Sequence, residues 1–158
     1  MNARVKDVMT KNVVCVQPDA TFQAVVGVLI AHRVSAVPVV DDANHVVGIV
    51  SEADLMLRAE HPSRKRAEYW QAWLKTSHDE AALRFARELE KAMARTAGEM
   101  MTSEVVTIAP EATVGEAAGL MHKKHVKRLP VVDLTGKLVG IVSRGDVLKV
   151  FAPSPVPV

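Results

Sequence analysis

Two stretches of this chain carry the same potential chemistry: "GIVSEAD" at Gly48–Asp54 and "GIVSRGD" at Gly140–Asp146. Each puts a serine hydroxyl, and three residues later a carboxylate, at the point where an apolar run gives way to polar residues. The spacing suits two purposes with the same atoms. As a helix start, the serine oxygen accepts a free backbone N–H and the acid sits at the positive end of the helix. As a ligand site, a hydroxyl beside a helix N-terminus attracts phosphate, and an acid just inside accepts both hydroxyls of a ribose. One copy taken singly fits either reading.

The residues around the second copy add charge. "HKKHVKRLPVV" sets His122, Lys123, Lys124, His125, Lys127 and Arg128 just ahead of Pro130, whereas "IAHRVSAVPVV" in the first copy has Ala36 in the place of Arg128. Such a cluster is either a solvated helix end or an anion grip. Arginine, a hydroxyl and a carboxylate together suit a phosphorylated ribose, because guanidinium holds phosphate with two parallel hydrogen bonds. Other chemistry finds no support. The six histidines show no repeated ligand spacing, and the pair His122/His125 reads as solvated rather than metal-binding. Cys15, the single cysteine, sits in the apolar run "VVCV" and reads as a small buried residue. No nucleophile, base and orienting group fall together, so an enzyme is not expected.

The elements that position these residues come from a repeat. A shift of 92 residues lays Val5–Arg58 over Ala97–Val150 without a gap, matching Met9-Thr10 to Met101-Thr102, "PVVD" to "PVVD" and "VGIVS" to "VGIVS". Within each copy, Val13–Val16 and Val105–Ile108 are short β-branched runs closed by proline, which predicts strands. Apolar residues at helical spacing follow: Phe22, Val25, Val26 and Leu29, then Val114, Ala117, Ala118 and Met121, with Thr113 and Glu116 spaced as a capping box. "VPVVDDANHVVGIVS" and "LPVVDLTGKLVGIVS" read as paired strands joined by polar turns at Asp41–Asn44 and Asp133–Gly136. A short helix near Glu52–Ala59 and Arg144–Phe151 completes a β-α-β-β-α order. This predicts an α/β (α+β) fold of two such units packed as a pseudo-twofold pair, with clefts at their junction. The expected division is residues 1–59 for the first unit, 60–96 for an insertion, 97–151 for the second unit and 152–158 for a proline-rich tail. The insertion reads as two helical segments, Ser63–Lys75 and His78–Arg95. Ser77 and Glu80 are spaced to cap the latter, and Ala82, Phe85, Ala86, Leu89, Ala92 and Met93 form its apolar stripe. Trp70 and Trp73 lie in the same insertion.

The full pattern, appearing twice, resembles a tandem of cystathionine β-synthase (CBS) domains: "MT…V…P…T" at the start, "HRVSAVPVVD" and "HVKRLPVVD" in the middle, "GIVSEAD" and "GIVSRGD" at the end. The resemblance covers about two thirds of the chain. It implies clefts that bind adenosine-containing ligands, AMP, ADP or ATP ahead of S-adenosylmethionine, and a pair that assembles as a disc-shaped homodimer. Carried over by position, it implies that Asp146 holds a ribose with Ser143 and Arg128 on the phosphate side, while adenine lies against the other copy near Val14, Cys15, Val34, Ala36 and Val37. In the second cleft Asp54 and Ser51 take ribose and phosphate, with Val106 and Thr107 near the base and Lys127 at the rim. Ala36 has no group to offer phosphate, so the Asp146 cleft is the better equipped.

Two functions from different classes follow. One is a non-catalytic sensor of adenine nucleotides that signals to a protein partner by a change of conformation. The other is a structural or oligomerisation module with empty clefts, acting through the insertion. A net charge of +2 from 20 basic and 18 acidic residues gives no general attraction for nucleic acid, which leaves only the Lys123–Arg128 cluster for that role. The longest apolar run, Ala24–Ala31, is well short of the roughly 20 residues of a membrane span. The N-terminal "MNARVKDVMT" lacks the apolar core of a signal peptide, so the expected location is the cytoplasm, without a membrane partner.

Overall fold

The computed structural model of the chain describes residues 2–60 and 71–152. Its elements in order are α1 (Val5–Val8), α2 (Phe22–His32), β1 (Ala36–Val40), β2 (Val46–Ser51), α3 (Glu52–Glu60), α4 (Glu80–Met93), α5 (Ala97–Met100), α6 (Val114–Lys124), β3 (Arg128–Val132), β4 (Leu138–Ser143) and α7 (Arg144–Lys149). They fall into two compact units. The first holds Val14–Asp41 and Val47–Ser103; the second holds the residues up to Val13, Asp42–Val46 and those from Glu104 on.

Each unit is built around one hairpin, β1 with β2 in the first and β3 with β4 in the second. β1 is buried along its whole length, while β2 alternates, as expected of a strand with one face in a core. The predicted opening strands shrink to single parallel bridges, Val16 to Val39 and Ile108 to Val131. The cause is local. Val16 donates to the Pro38 carbonyl at 3.0 Å and accepts from the Val40 N–H at 2.9 Å, after which Gln17-Pro18 ends the run because proline brings no N–H. Upstream, the Val13 N–H turns back to the Lys11 carbonyl at 3.1 Å.

The leading segment of each copy pairs with the hairpin of the other copy. Thr10 and Ile141 exchange two backbone hydrogen bonds of 2.9 and 3.0 Å within the second unit, and Thr102 and Ile49 exchange two of 2.9 and 3.1 Å within the first. The close approach depends on glycine. A Cβ on Gly140 would meet the Met9 side chain and the Thr10 carbonyl oxygen, and one on Gly48 would meet the Met101 side chain. Single helical turns that the sequence reading did not anticipate, α1 and α5, hold these segments in place through fully buried Val5 and Met100.

The first core gathers Val16, Val25, Leu29, Val37, Val39, Val50, Ala94, Ala97 and Met100, and the second gathers the matching set around Val114, Ala117, Met121, Leu129, Val131 and Val142. Burying one such aliphatic side chain contributes about 1.5–3 kcal/mol, so these rows decide where the helices lie. Thr21 caps α2 by accepting from the Ala24 N–H at 3.1 Å. Thr113 and Glu116 form the capping box expected at α6. Arg33 and His125 end the two helices in the left-handed region, at φ 52° and 55°, and the next residue closes the turn from Val34 to Leu29 and from Val126 to Met121.

Within the insertion the described part is helical at residues 71–74 and in α4. Tyr69, Trp70 and most of Ser63–Lys75, like the tail from 153, lie outside the described residues. The start of α4 differs from expectation: Asp79, not Ser77, caps it by accepting from the Ala81 N–H, while the Ser77 hydroxyl accepts from the Asp79 N–H. An Asp one position before the first helical residue outcompetes a serine set further back. The predicted stripe is buried at Ala86, Leu89 and Ala92, against Leu74 and the body of the first unit, whereas Phe85 is 39% exposed.

Candidate functional site

In the second unit Ser143 ends β4 and caps α7. Its hydroxyl oxygen accepts from the Asp146 N–H at 3.3 Å, while the Ser143 N–H and Oγ–H donate to Asp146 Oδ2 at 2.9 and 2.8 Å. The box therefore fixes Oδ2 and leaves Oδ1 outside it. Among the described residues Oδ1 meets one partner, Lys149 Nζ at 3.2 Å, on a side chain that is 78% exposed. Burial pushes the Asp146 carboxyl up, but the two hydrogen bonds from Ser143 and the Lys149 ammonium outweigh it and hold the group below the usual carboxylate range.

The antiparallel register of β3 and β4 sets Arg128 directly opposite Ser143. The ladder continues one step further, where the Arg144 N–H donates to the Lys127 carbonyl at 3.0 Å. Arg128, Ser143 and Asp146 are thus held together at one end of one hairpin by backbone pairing. Thr10, exposed and paired with Ile141 two residues before Ser143, stands on the neighbouring edge. Met9-Thr10 and its match Met101-Thr102 open the two copies, and that repetition is the sign in the sequence of their shared place.

The first unit repeats this arrangement with one addition. The Ser51 N–H and Oγ–H donate to Asp54 Oδ2 at 2.9 and 3.2 Å, and the Glu52 N–H donates to the Ser35 carbonyl at 2.9 Å. Ala36 is buried at the start of β1 and brings no polar side chain. Lys91 of α4 reaches Asp54 Oδ1 at 2.7 Å and the Thr102 hydroxyl at 3.2 Å. Lys91 was not among the expected residues, because a reading of the apolar stripe passes over the polar side of a helix.

The remaining expected residues divide between the units. Val14, Cys15, Val34 and Val37 belong to the first, and Val106, Thr107 and Lys127 to the second. Val14, Cys15, Val106 and Thr107 are half-buried and Lys127 is exposed. Val37 is wholly buried in the first core. Cys15 is less buried than expected, and the burial it has pushes its thiol up, away from a reactive thiolate. Val34 lines a groove of about 780 Å³ between α2 and α3 with Phe22, Leu29, Ile30, Leu55 and Met56. His122–His125 end α6 on the exposed side, where cations suit the helix C-terminus. Among the described residues no group of three or more His, Cys, Asp or Glu is placed to hold a metal. Among the same residues no helix is long and apolar enough to cross a membrane.

Comparison with known proteins agrees with this geometry. The family model described as CBS domain matches twice, at residues 5–61 and 97–153. The chain is 34% identical to an uncharacterized protein of Methanocaldococcus jannaschii, covering 92% of this chain and 89% of that one. It is 31% identical to a CBS domain-containing protein of Dictyostelium discoideum, covering 98% of each. Among solved structures, that of CBSX2 in complex with AMP superposes with a TM-score of 0.77 at 26% identity, covering 94% of this chain and 96% of that one. CBSX2 is a protein of Arabidopsis thaliana.

Proposed function

Since this chain belongs to the CBS-domain family and carries two copies of the domain, we propose that it is a non-catalytic regulatory module that binds adenosine-containing nucleotides of the AMP, ADP and ATP class and passes their presence to a protein partner by a change of conformation. The observation that carries this reading is the division of labour within Asp146. One oxygen is consumed by the Ser143 box, while the other is restrained, among the described residues, only by an exposed lysine. A vicinal diol needs such an acceptor: a fixed carboxylate oxygen with lone pairs to spare. Arg128, opposite Ser143, supplies the phosphate grip at a distance set by the ladder. AMP bound to the structurally similar CBSX2 supports the ligand class. Signalling then requires that nucleotide bind one conformation better than another, which is the only way a ligand shifts an equilibrium.

The module is proposed to act as a homodimer in the cytoplasm. Support for dimerisation comes from exposed apolar side chains on the α2–α3 face of the first unit, where Ile30 is 73% and Met56 is 63% exposed.

The test is a thermal-shift comparison of AMP, ADP, ATP and S-adenosylmethionine against the wild type and Asp146→Asn. Asparagine keeps an oxygen for the Ser143 donors while removing the charge, so capping is largely spared. Stabilisation of the wild type by at least one of the three nucleotides, lost in Asp146→Asn, is the expected result. No shift by any adenosine ligand at millimolar concentration favours the alternative, a structural module working through the insertion that carries exposed Trp73.

A further inference from the structure

The two Ser-x-x-Asp steps are alike in sequence but not in what faces the ligand-side oxygen. At Asp146, Oδ1 is met by Lys149 from the same helix, a side chain 78% exposed that swings into water at little cost. At Asp54, Oδ1 is met at 2.7 Å by Lys91, whose side chain is 28% exposed and whose ammonium also donates to Thr102 Oγ1 at 3.2 Å. Oδ2 is already taken by Ser51, as Oδ2 of Asp146 is by Ser143. Lys91 therefore occupies the position of the ribose diol in the reading above, on which this inference rests.

The helix that delivers Lys91 is not free to drift. Arg58 Nη2 and Nε donate to the carbonyls of Ala94 and Ala92 at 2.7 and 3.3 Å, and the Arg58 guanidinium stacks on the Phe22 ring at 3.9 Å. Leu89 and Ala92 are buried beside it. This clamp lies one and three residues beyond Lys91, so the ammonium is presented to Asp54 by a fixed backbone. The insertion has no counterpart in the repeat, and Lys149 falls on Leu57, so neither lysine has an equivalent in the other copy.

We propose that Lys91 is the residue that decides which of the two sites is filled: it acts as a built-in occupant of the Asp54 site, so that the chain takes nucleotide at Asp146 alone. A neutral diol competes poorly for a carboxylate oxygen against a tethered ammonium in a charge-assisted hydrogen bond. Binding there also requires the ammonium to find water or another partner, so apparent affinity falls by the fraction of molecules in which Lys91 is displaced. Ala36 deepens the difference, since it brings no guanidinium at the position that Arg128 holds beside Asp146 to recover the loss through phosphate.

Calorimetric titration of the full chain with AMP decides the matter. Lys91→Met keeps the stem and removes the charge, Lys91→Arg keeps the charge, and Asp54→Asn and Asp146→Asn report on each site. The expected result is about one AMP per chain for wild type and Lys91→Arg, removed by Asp146→Asn. Lys91→Met should gain a second site, at least tenfold tighter than any residual binding in wild type, and adding Asp54→Asn should abolish it. Two comparable sites in wild type, or one site in Lys91→Met that Asp54→Asn leaves untouched, overturns the role of Lys91 while leaving nucleotide binding intact. No AMP bound by any variant instead overturns the nucleotide reading and this inference together.

Discussion

Asp146 uses Oδ2 in the Ser143 cap, and in the proposed reading its Oδ1 takes the ribose. The structural duty has a pH signature. Its carboxyl is held below the usual range because burial, which raises it, is outweighed by the Ser143 hydrogen bonds and by Lys149. A carboxyl lowered on folding stabilises the native state above its unfolded value, about 3.9 for aspartate, and that contribution disappears as pH falls through the native value. Denaturant titrations should therefore show wild type more stable than Asp146→Asn at neutral pH, with the gap closing below about pH 4; a gap that persists unchanged at pH 2 would contradict the assignment. The serine and the acid were legible in the sequence because the repeat set them side by side in two copies. Lys91 was not, since its partner Asp54 lies 37 residues away in the chain and only the packing of α4 on α3 brings the two together.

At the scale of elements, the hairpins and the two long helices were readable because each carries its own signal: β-branched runs around a polar turn, or apolar spacing behind a threonine cap. Elements defined by a distant partner were not. Val13–Val16 has strand-forming residues but only Val16 pairs, and α1 and α5 are single turns that exist because Val5 and Met100 enter cores built mostly from other segments. The α2–α3 face tests the proposed dimer. Ile30 lies on the exposed side of α2, 73% accessible, and lines the groove with Met56. Ile30→Glu costs the isolated fold little, because surface substitutions usually stay within about 0.5 kcal/mol. Light scattering should report a dimer for wild type and a monomer for Ile30→Glu, with unchanged far-ultraviolet dichroism. A variant that stays dimeric would move the contact elsewhere.

On the scale of the molecule, duplication explains both the likeness and the inequality of the sites. One unit was copied, its leading segments paired with the opposite hairpins, and each hairpin end received a serine, an acid and a neighbouring threonine: Ser143, Asp146 and Thr10, or Ser51, Asp54 and Thr102. Arg128 and Lys91 then separate the two. In the proposed reading Arg128 offers one site a phosphate grip and Lys91 gives the other an internal cation, the basis for a single preferred nucleotide position. Recognition of a nucleotide ribose by the Asp146 carboxylate is the step on which the proposed function rests, and competition binding with AMP and 2′,3′-dideoxy-AMP measures it. Wild type should prefer AMP by at least tenfold, about 1.4 kcal/mol, and Asp146→Asn should bind both weakly and alike. Equal affinity of wild type for the two nucleotides, or a preference that survives Asp146→Asn, would contradict it.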